Sequence, residues 1–454
     1  MMKLKLSEIA TIVHGQLIGD DEEIISVSTD TRALEPGALF IALVGERFDA
    51  HDMAEKAIDS GASALIVSRE LSALNIPQVL VSDTKQALGL LGAYVHKMSQ
   101  TPTVAITGSC GKTTVKEMVA SILGLQGQVL YTAGNFNNDI GVPLTLLRST
   151  SQDDFAVLEL GANHIGEIAY TTQLVRPNVA IVNNVDAAHL EGFGSLDGVK
   201  QAKGEIYQGL EPGSVAIVNQ ESHGGVFWSD VLADKHVKTF SVEDANAHYF
   251  ASDIVLNPKG EAFFVLHTPV GETSIQLGIV GKHNVANALA ATALAMEMGA
   301  TLQQVSAGLT SLSKVKGRVE VQALSEHVTV IDDSYNASVP AMKAAVDLLA
   351  NYQGERWLVL GYMAELGEES LALHRQVGEH AAPFHFEHVL TYGEDARQIS
   401  AACQGKHFDN HQAMVEFILQ QLNQSDNKKH TLLVKGANSA GMSKIVAALK
   451  ENFK

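Results

Sequence analysis

A chain of 454 residues is too long for a single core, which sets an expectation of about two to three domains. Apolar residues make up 46% and charged residues 18%, the balance of a globular rather than a disordered chain, and a formal net charge of −19 sets the surface against nucleic acid and anionic membranes. The only cysteines, Cys110 and Cys403, argue against a disulfide framework and for a reducing compartment.

Residues 1–15 carry lysines followed by Leu-Ser-Glu-Ile-Ala, and Glu8 and His14 interrupt any signal-like apolar core, so residence in the cytoplasm is expected. No apolar run reaches the length of a membrane span; the nearest, Val285–Met298, contains Asn287 and Glu297. Residues 1–98 alternate short apolar runs (Ala38–Leu43, Ala64–Val67, Gln78–Val81) with helical patterns such as Thr84–Met98, and Ser99-Gln-Thr-Pro102 reads as a linker. This predicts a small α/β unit over residues 1–100.

From Thr103 a longer succession begins. Thr103–Thr107, Phe155–Glu159 and Val179–Val182 are short apolar strands separated by helical stretches, which predicts a mostly parallel sheet covered by helices on both faces. Tyr249–Leu256, Ala262–His267 and Thr273–Leu277 follow without intervening helices, as an antiparallel edge would. A third unit is expected after Ser313. Strands Val328–Ile331, Trp357–Leu360, His388–Leu390 and Thr431–Val434 there alternate with helices Pro340–Leu349, Asp395–Ala402, Gln412–Leu422 and Ala440–Leu449. The expected organisation is α/β in three domains: 1–100, a central 101–313 and a doubly wound 314–454, with ligands at the carboxyl ends of the strands.

The strongest chemical signal is Thr107-Gly-Ser-Cys-Gly-Lys-Thr-Thr114, set between strand Thr103–Thr107 and a helical stretch, Val115–Leu125. Backbone N–H groups of such a loop and the helix N-terminus face an anion, Lys112 reaches terminal phosphates, and the Thr113 hydroxyl can ligate Mg²⁺. The usual pattern has glycine at position 106 and this chain has isoleucine, but Gly108 and Gly111 remain where the tight turn needs them. An accidental βα turn would lack this order of strand, loop and helix, so the loop predicts a nucleoside triphosphate site that takes in Gly108, Ser109, Cys110, Gly111, Lys112, Thr113 and Thr114.

Glu159 ends its strand beside that loop, where a carboxylate would hold Mg²⁺ or cap the next helix. His189 follows the strand Val179–Val182 into the same crevice. Lys203 lies in Lys200-Gln-Ala-Lys203-Gly-Glu205, which by spacing alone reads as a solvated helix face. Asn284 and Asn287 share one face of an apolar helix and suit either an adenine edge or a helix cap. Arg318 sits at the hinge before the third unit, placed to close over a triphosphate. Asp332-Asp333 ends a strand and suggests a ribose or metal contact, or a simple turn.

Together these segments resemble the Mur ligases, the ATP-dependent amide-forming enzymes of peptidoglycan precursor synthesis. The matching pieces are Thr107–Thr114, Gly134-Asn-Phe-Asn-Asn138 with Gly141-Val-Pro143, Glu159-Leu-Gly-Ala-Asn-His164 and Asn183-Asn-Val with His189. They continue with Lys203, Gly281-Lys-His-Asn-Val-Ala-Asn287, Lys316-Gly-Arg318 and Asp333-Ser-Tyr-Asn336, in family order over most of the chain. Asp332–Ala337, Gly161–Ile168 and Met363-Ala-Glu-Leu-Gly367 point within the family to the reaction whose partners are UDP-N-acetylmuramoyl-tripeptide and D-alanyl-D-alanine. No Asp-Asn-Pro-Arg motif of the diaminopimelate- or lysine-adding sibling is present.

The resemblance implies ATP and two Mg²⁺ ions, with Thr113 and Glu159 holding one ion and His189 helping to hold the second. It implies that Lys203 is carbamylated and so a metal ligand, and that Lys112, His189 and Lys203 serve catalysis. Asn284 and Asn287 would read adenine, Arg318 the phosphates and Asp333 the ribose. Thr31 and Arg32, in the weaker N-terminal motif, and Asn137, Asn138 and Asn163 would contact the nucleotide-sugar peptide. A monomer without nucleic-acid or membrane partners is expected. Gly361-Tyr362-Met363 and Lys435-Gly-Ala-Asn438-Ser439 depart from the family's Gly-Asp-Met and Lys-Gly-Ser-Arg-Ser, at strand ends where the incoming dipeptide is expected.

Overall fold

The computed structural model describes residues 3–45, 48–186, 190–222, 224–257, 260–312, 317–424 and 428–453. His189, Lys316 and the expected boundary at 313/314 lie outside the described residues. Three larger sheets organise the chain, each with helices against it, and no helix among the described residues is long and apolar enough to cross a membrane.

The N-terminal sheet has five strands in the order Gln16–Ile18, Gln78–Leu80, Ala62–Val67, Ala38–Ile41, Ser26–Ser28, parallel except for the first pair. Helix Thr84–Ser99 leaves this unit, with Asp83 accepting from the Lys85 and Gln86 N–H groups at its N-terminus. It ends at Gln100 in the left-handed conformation, two residues before Pro102.

The central sheet has nine strands. Thr103–Thr107 lies between Phe155–Glu159 and Val179–Val182, the first of these backed by Val129–Tyr131 and the second by Val215–Asn219, His236–Ser241 and Tyr249–Leu256. All these pairs are parallel, and the far edge, Glu261–Thr268 with Gly271–Val280, is antiparallel as expected. The three inner strands occupy the spans predicted for them. Both of their faces are covered, so every residue in them is buried except Phe155, which is half-buried at the start of its strand. Helix Asn284–Glu297 is apolar almost all round and correspondingly buried between the phosphate-loop helix and the sheet.

The C-terminal sheet runs Glu320–Ala323, Val328–Asp333, His430–Lys435, Glu355–Gly361, His388–Tyr392, Lys406–Phe408, parallel apart from the first pair. Helix Ser370–Ala381 is an addition to the predicted elements. Its buried stripe is His374, Val377, Gly378 and Ala381, a helical spacing carried by a histidine and a glycine rather than by large apolar residues.

Candidate functional site

Strand Thr103–Thr107 delivers the phosphate loop, and Lys112 begins helix Lys112–Leu123, three residues earlier than the apolar pattern indicates. Gly111 has φ 78°, and a Cβ there would overlap Asn287 Oδ1 and Asn183 Nδ2, so only glycine lets these amides close on the loop. The unpaired first-turn N–H groups and the positive end of the helix are those an anion would meet.

The Cys110 peptide is gripped by two neighbouring asparagines at the carboxyl end of strand Val179–Val182. Its N–H donates to Asn184 Oδ1 at 2.9 Å, and its carbonyl accepts from Asn183 Nδ2 at 3.0 Å and Asn184 Nδ2 at 3.1 Å. Sequence reasoning assigned neither asparagine a role. Their place at a strand end beside the loop was the available signal.

Glu159, 2% exposed, is fixed from three sides. Its Oε2 accepts from Thr113 Oγ1 at 2.9 Å, its Oε1 from Asn137 Nδ2 at 2.8 Å, and its N–H donates to Thr132 Oγ1 at 2.9 Å. Arg318 Nη2 donates to Thr113 Oγ1 at 3.1 Å, and its guanidinium lies 4.3 Å from the centre of the Tyr335 ring. Lys112 Nζ donates to Gly108 O at 2.7 Å, and burial holds its pKa below the usual lysine range.

Lys203 departs from the solvated face that its spacing suggests. Helix Leu196–Gly204 turns it inward to 1% exposure, its Nζ has no hydrogen-bond partner among the described residues, and it lies over the Phe193 ring, 5.1 Å from its centre. Burial, with Lys112 as a lesser cause, pushes its pKa well below the ordinary lysine value.

Asn284 and Asn287 are drawn into one amide chain. Asn284 Nδ2 donates to Val280 O at 2.7 Å, Asn287 Nδ2 to Asn284 Oδ1 at 2.8 Å, and Asn183 Nδ2 to Asn287 Oδ1 at 3.0 Å. Asp332 takes the turn role, accepting from Ser334 Oγ at 2.5 Å, while Asp333 Oδ2 accepts from Lys435 Nζ at 2.7 Å.

One cavity of about 540 Å³ collects much of this set. Ser109, Cys110, Gly111, Lys112, Thr114, Asn284 and Asn287 line its central-unit side, and Arg318, Asp333 and Lys435 its C-terminal side. Gly108 and Thr113 adjoin it through Lys112 and Arg318. Thr31, Arg32, Asn137, Asn138 and Asn163 lie outside its lining. Thr31 is buried, Arg32 is exposed and paired with Asp30 at 2.7 Å, Asn138 Oδ1 accepts from Gly141 N–H at 2.8 Å, and Asn163 is exposed. Among the described residues, no three His, Cys, Asp or Glu side chains gather as a metal-holding group.

Residues 23–96 match the Mur ligase family catalytic domain, 106–295 the Mur ligase middle domain, and 317–451 the Mur ligase glutamate ligase domain. The UDP-N-acetylmuramoyl-tripeptide–D-alanyl-D-alanine ligase of Escherichia coli is 49% identical over 100% of this chain and 99% of its own length. The Haemophilus influenzae protein of the same name is 46% identical, with both chains covered in full. Among solved structures, MurF from Acinetobacter baumannii superposes with a TM-score of 0.94 at 35% identity, covering 99% of each chain.

Proposed function

The chain belongs to the Mur ligase family, and we propose that it is the ATP-dependent ligase that joins D-alanyl-D-alanine to UDP-N-acetylmuramoyl-tripeptide in peptidoglycan precursor synthesis. The observation that carries this reading is the end-to-end identity with relatives of that name. A phosphate loop that opens into one cavity with the C-terminal strand ends supports it.

The reaction needs an activated carboxylate, because oxide is a very poor leaving group. A carboxylate oxygen of the tripeptide attacks the γ-phosphorus of ATP, and ADP leaves. The dipeptide amine then attacks the acyl carbon, phosphate departs, and the amine loses a proton to give the amide. Positioning and charge stabilisation supply most of the rate in such transfers. Loop Gly108–Thr114 wraps the triphosphate, with Lys112 and Arg318 on its outer oxygens. Asn284 and Asn287 offer the adenine edge their remaining hydrogen-bonding capacity, and Asp333 faces the ribose. Thr31 and Arg32, in the N-terminal nucleotide unit, together with Asn137, Asn138 and Asn163, contact the UDP-sugar tripeptide. The domains divide at 100/101 and 313/314, and the enzyme acts as a cytoplasmic monomer.

Two divalent cations suit the donors present. Thr113 and Glu159 offer oxygens to one, and His189 with Lys203 would help to hold the second. The unpartnered, deprotonation-prone Lys203 Nζ fits conversion to a carbamate, which would add an acidic oxygen ligand to the donors present. Bound Mg²⁺ would offset charge spreading over the transferred phosphoryl group.

The test is phosphate release from ATP and Mg²⁺ with UDP-N-acetylmuramoyl-tripeptide, with and without D-alanyl-D-alanine, and mass detection of product. Release with a pentapeptide product only when the dipeptide is present is the expected result. Release independent of the dipeptide points to an ATPase that couples hydrolysis to motion. Product with another amino acid keeps the ligase and moves the acceptor.

A further inference from the structure

The amide chain between the loop and the helix Asn284–Glu297 has a direction that the structure fixes. Its far end is the Val280 carbonyl, which can only accept, so Asn284 must present its Nδ2 there and its Oδ1 to Asn287. Asn287 must then present its Oδ1 to Asn183, and Asn183 its Nδ2 to Asn287. The other hydrogen of Asn183 Nδ2 goes to the Cys110 carbonyl of the phosphate loop. Asn183 itself is 2% exposed and anchored by its backbone, its N–H donating to Thr107 O at 2.8 Å and its carbonyl accepting from Asn219 Nδ2 at 2.8 Å. The side chain is therefore a rigid bracket with two donors, each spent on one wall of the cavity.

We propose that Asn183 is a positioning residue for phosphoryl transfer. Through this bracket it makes the geometry of the Cys110–Gly111 peptide depend on the Asn284–Asn287 wall. A ligand group that engages Asn284 or Asn287 acts on the same amide chain that orients the loop carbonyl, so contacts at the wall are felt in the rate as well as in affinity. Gly111 is the counterpart of this device, because a side chain there would fill the space the two amides occupy. The inference rests on the reading of loop Gly108–Thr114 as the triphosphate site.

Asn183→Asp keeps the size and replaces both donors by an acceptor, set against the Cys110 carbonyl and Asn287 Oδ1. It is expected to lower kcat by about 10- to 100-fold, the cost of a slightly misplaced reacting group. Asn183→Ala, which removes the bracket without adding repulsion, should lose less. The loss in Asn183→Asp should shrink, relative to wild type, as pH is lowered and the new carboxyl regains a proton to donate. A packing role gives the reverse order, with the isosteric Asp harmless and Ala worse, and that result overturns the proposal. Asn287→Ala supplies a second arm. Its fold-loss and that of Asn183→Ala should fail to multiply in the double variant, and losses that multiply also overturn the proposal. Thermal melting and ADP affinity by calorimetry, run on every variant, separate misfolding from misplacement. If wild type makes no pentapeptide, the ligase reading fails while ADP affinity and phosphate release still report on the bracket.

Discussion

Asp333 and Lys435 face one another in the parallel pair Val328–Asp333 and His430–Lys435, and Lys435 Nζ reaches Asp333 Oδ2 at 2.7 Å with both residues buried. Lys435 also donates to Asn336 O at 3.0 Å, so one ammonium ties a strand end to the turn after it. Removing one partner strands the other charge. Lys435→Met is expected to cost about 3–5 kcal/mol, read as a lower urea midpoint with an unchanged slope. Lys435→Met with Asp333→Leu should recover most of that stability while remaining inactive. An unaltered midpoint in the single variant would show that the pair does not hold this wall.

The buried Lys203 predicts a dependence on bicarbonate and pH. A carbamate forms only from the neutral amine, and burial lowers the lysine pKa, so the reactive form is populated at far lower pH than for an exposed lysine. Protein freed of carbon dioxide should regain activity on adding bicarbonate, faster as pH rises through the depressed pKa. Between that pKa and the ordinary lysine value the unfolded chain binds the extra proton, so stability also rises with pH in this window. Lys203→Ala should lose about 100-fold or more in kcat and be partly restored by short carboxylates. Full activity in the alanine variant without additive would exclude the carbamate.

The inner strands of the central sheet were readable to the residue because both faces are covered, so burial and sequence carry the same message along Thr103–Thr107, Phe155–Glu159 and Val179–Val182. Strand His236–Ser241 is hidden in the sequence because His236 and Val237 are exposed and the polar Lys238 and Thr239 half-buried, and Lys406–Phe408 because it is a three-residue edge. The phosphate loop was legible because its chemistry is local, contained in one turn of chain. The bonds that orient it are not local. Asn183 and Asn287 are 104 residues apart, and Asp333 and Lys435 are 102 apart, so no spacing rule connects them. Lys203 was misread from spacing for a related reason: the helix presents it to a neighbouring element, and only the packing reveals which face is inward.

Arg318 bridges two functions with one planar group, donating to Thr113 Oγ1 at 3.1 Å while stacking 4.3 Å from the Tyr335 ring. Lysine cannot reproduce both, since a compact ammonium neither stacks flat nor presents a planar fork of donors. Arg318→Lys should therefore lower kcat by about 10- to 100-fold, with Arg318→Ala no more than a few-fold worse. Steady-state kinetics with ATP varied checks this, and near-wild-type turnover in the lysine variant would show that charge alone suffices.

His96 gives the fold an acid limit away from the site. It is 5% exposed on helix Thr84–Ser99, with Nδ1 2.8 Å from Ser149 Oγ and Nε2 2.9 Å from Thr103 Oγ1. Thr103 Oγ1 donates to Thr101 O at 2.7 Å, so it accepts from Nε2–H and leaves Nδ1 to accept from the Ser149 hydroxyl. The neutral ring is thus fully satisfied, and a proton on Nδ1 would require the Ser149 hydroxyl to turn from donor to acceptor. Burial holds the pKa at about 4, against a slight upward pull from Asp153. A histidine depressed in the folded state contributes stability that is complete above its unfolded pKa of about 6.5 and is lost as pH falls towards 4. The difference corresponds to about 3 kcal/mol. Urea midpoints of wild type should therefore fall between pH 7 and pH 4.5 more steeply than those of His96→Gln, which cannot take up the proton. Equal slopes in the two proteins would remove His96 from the account of acid sensitivity.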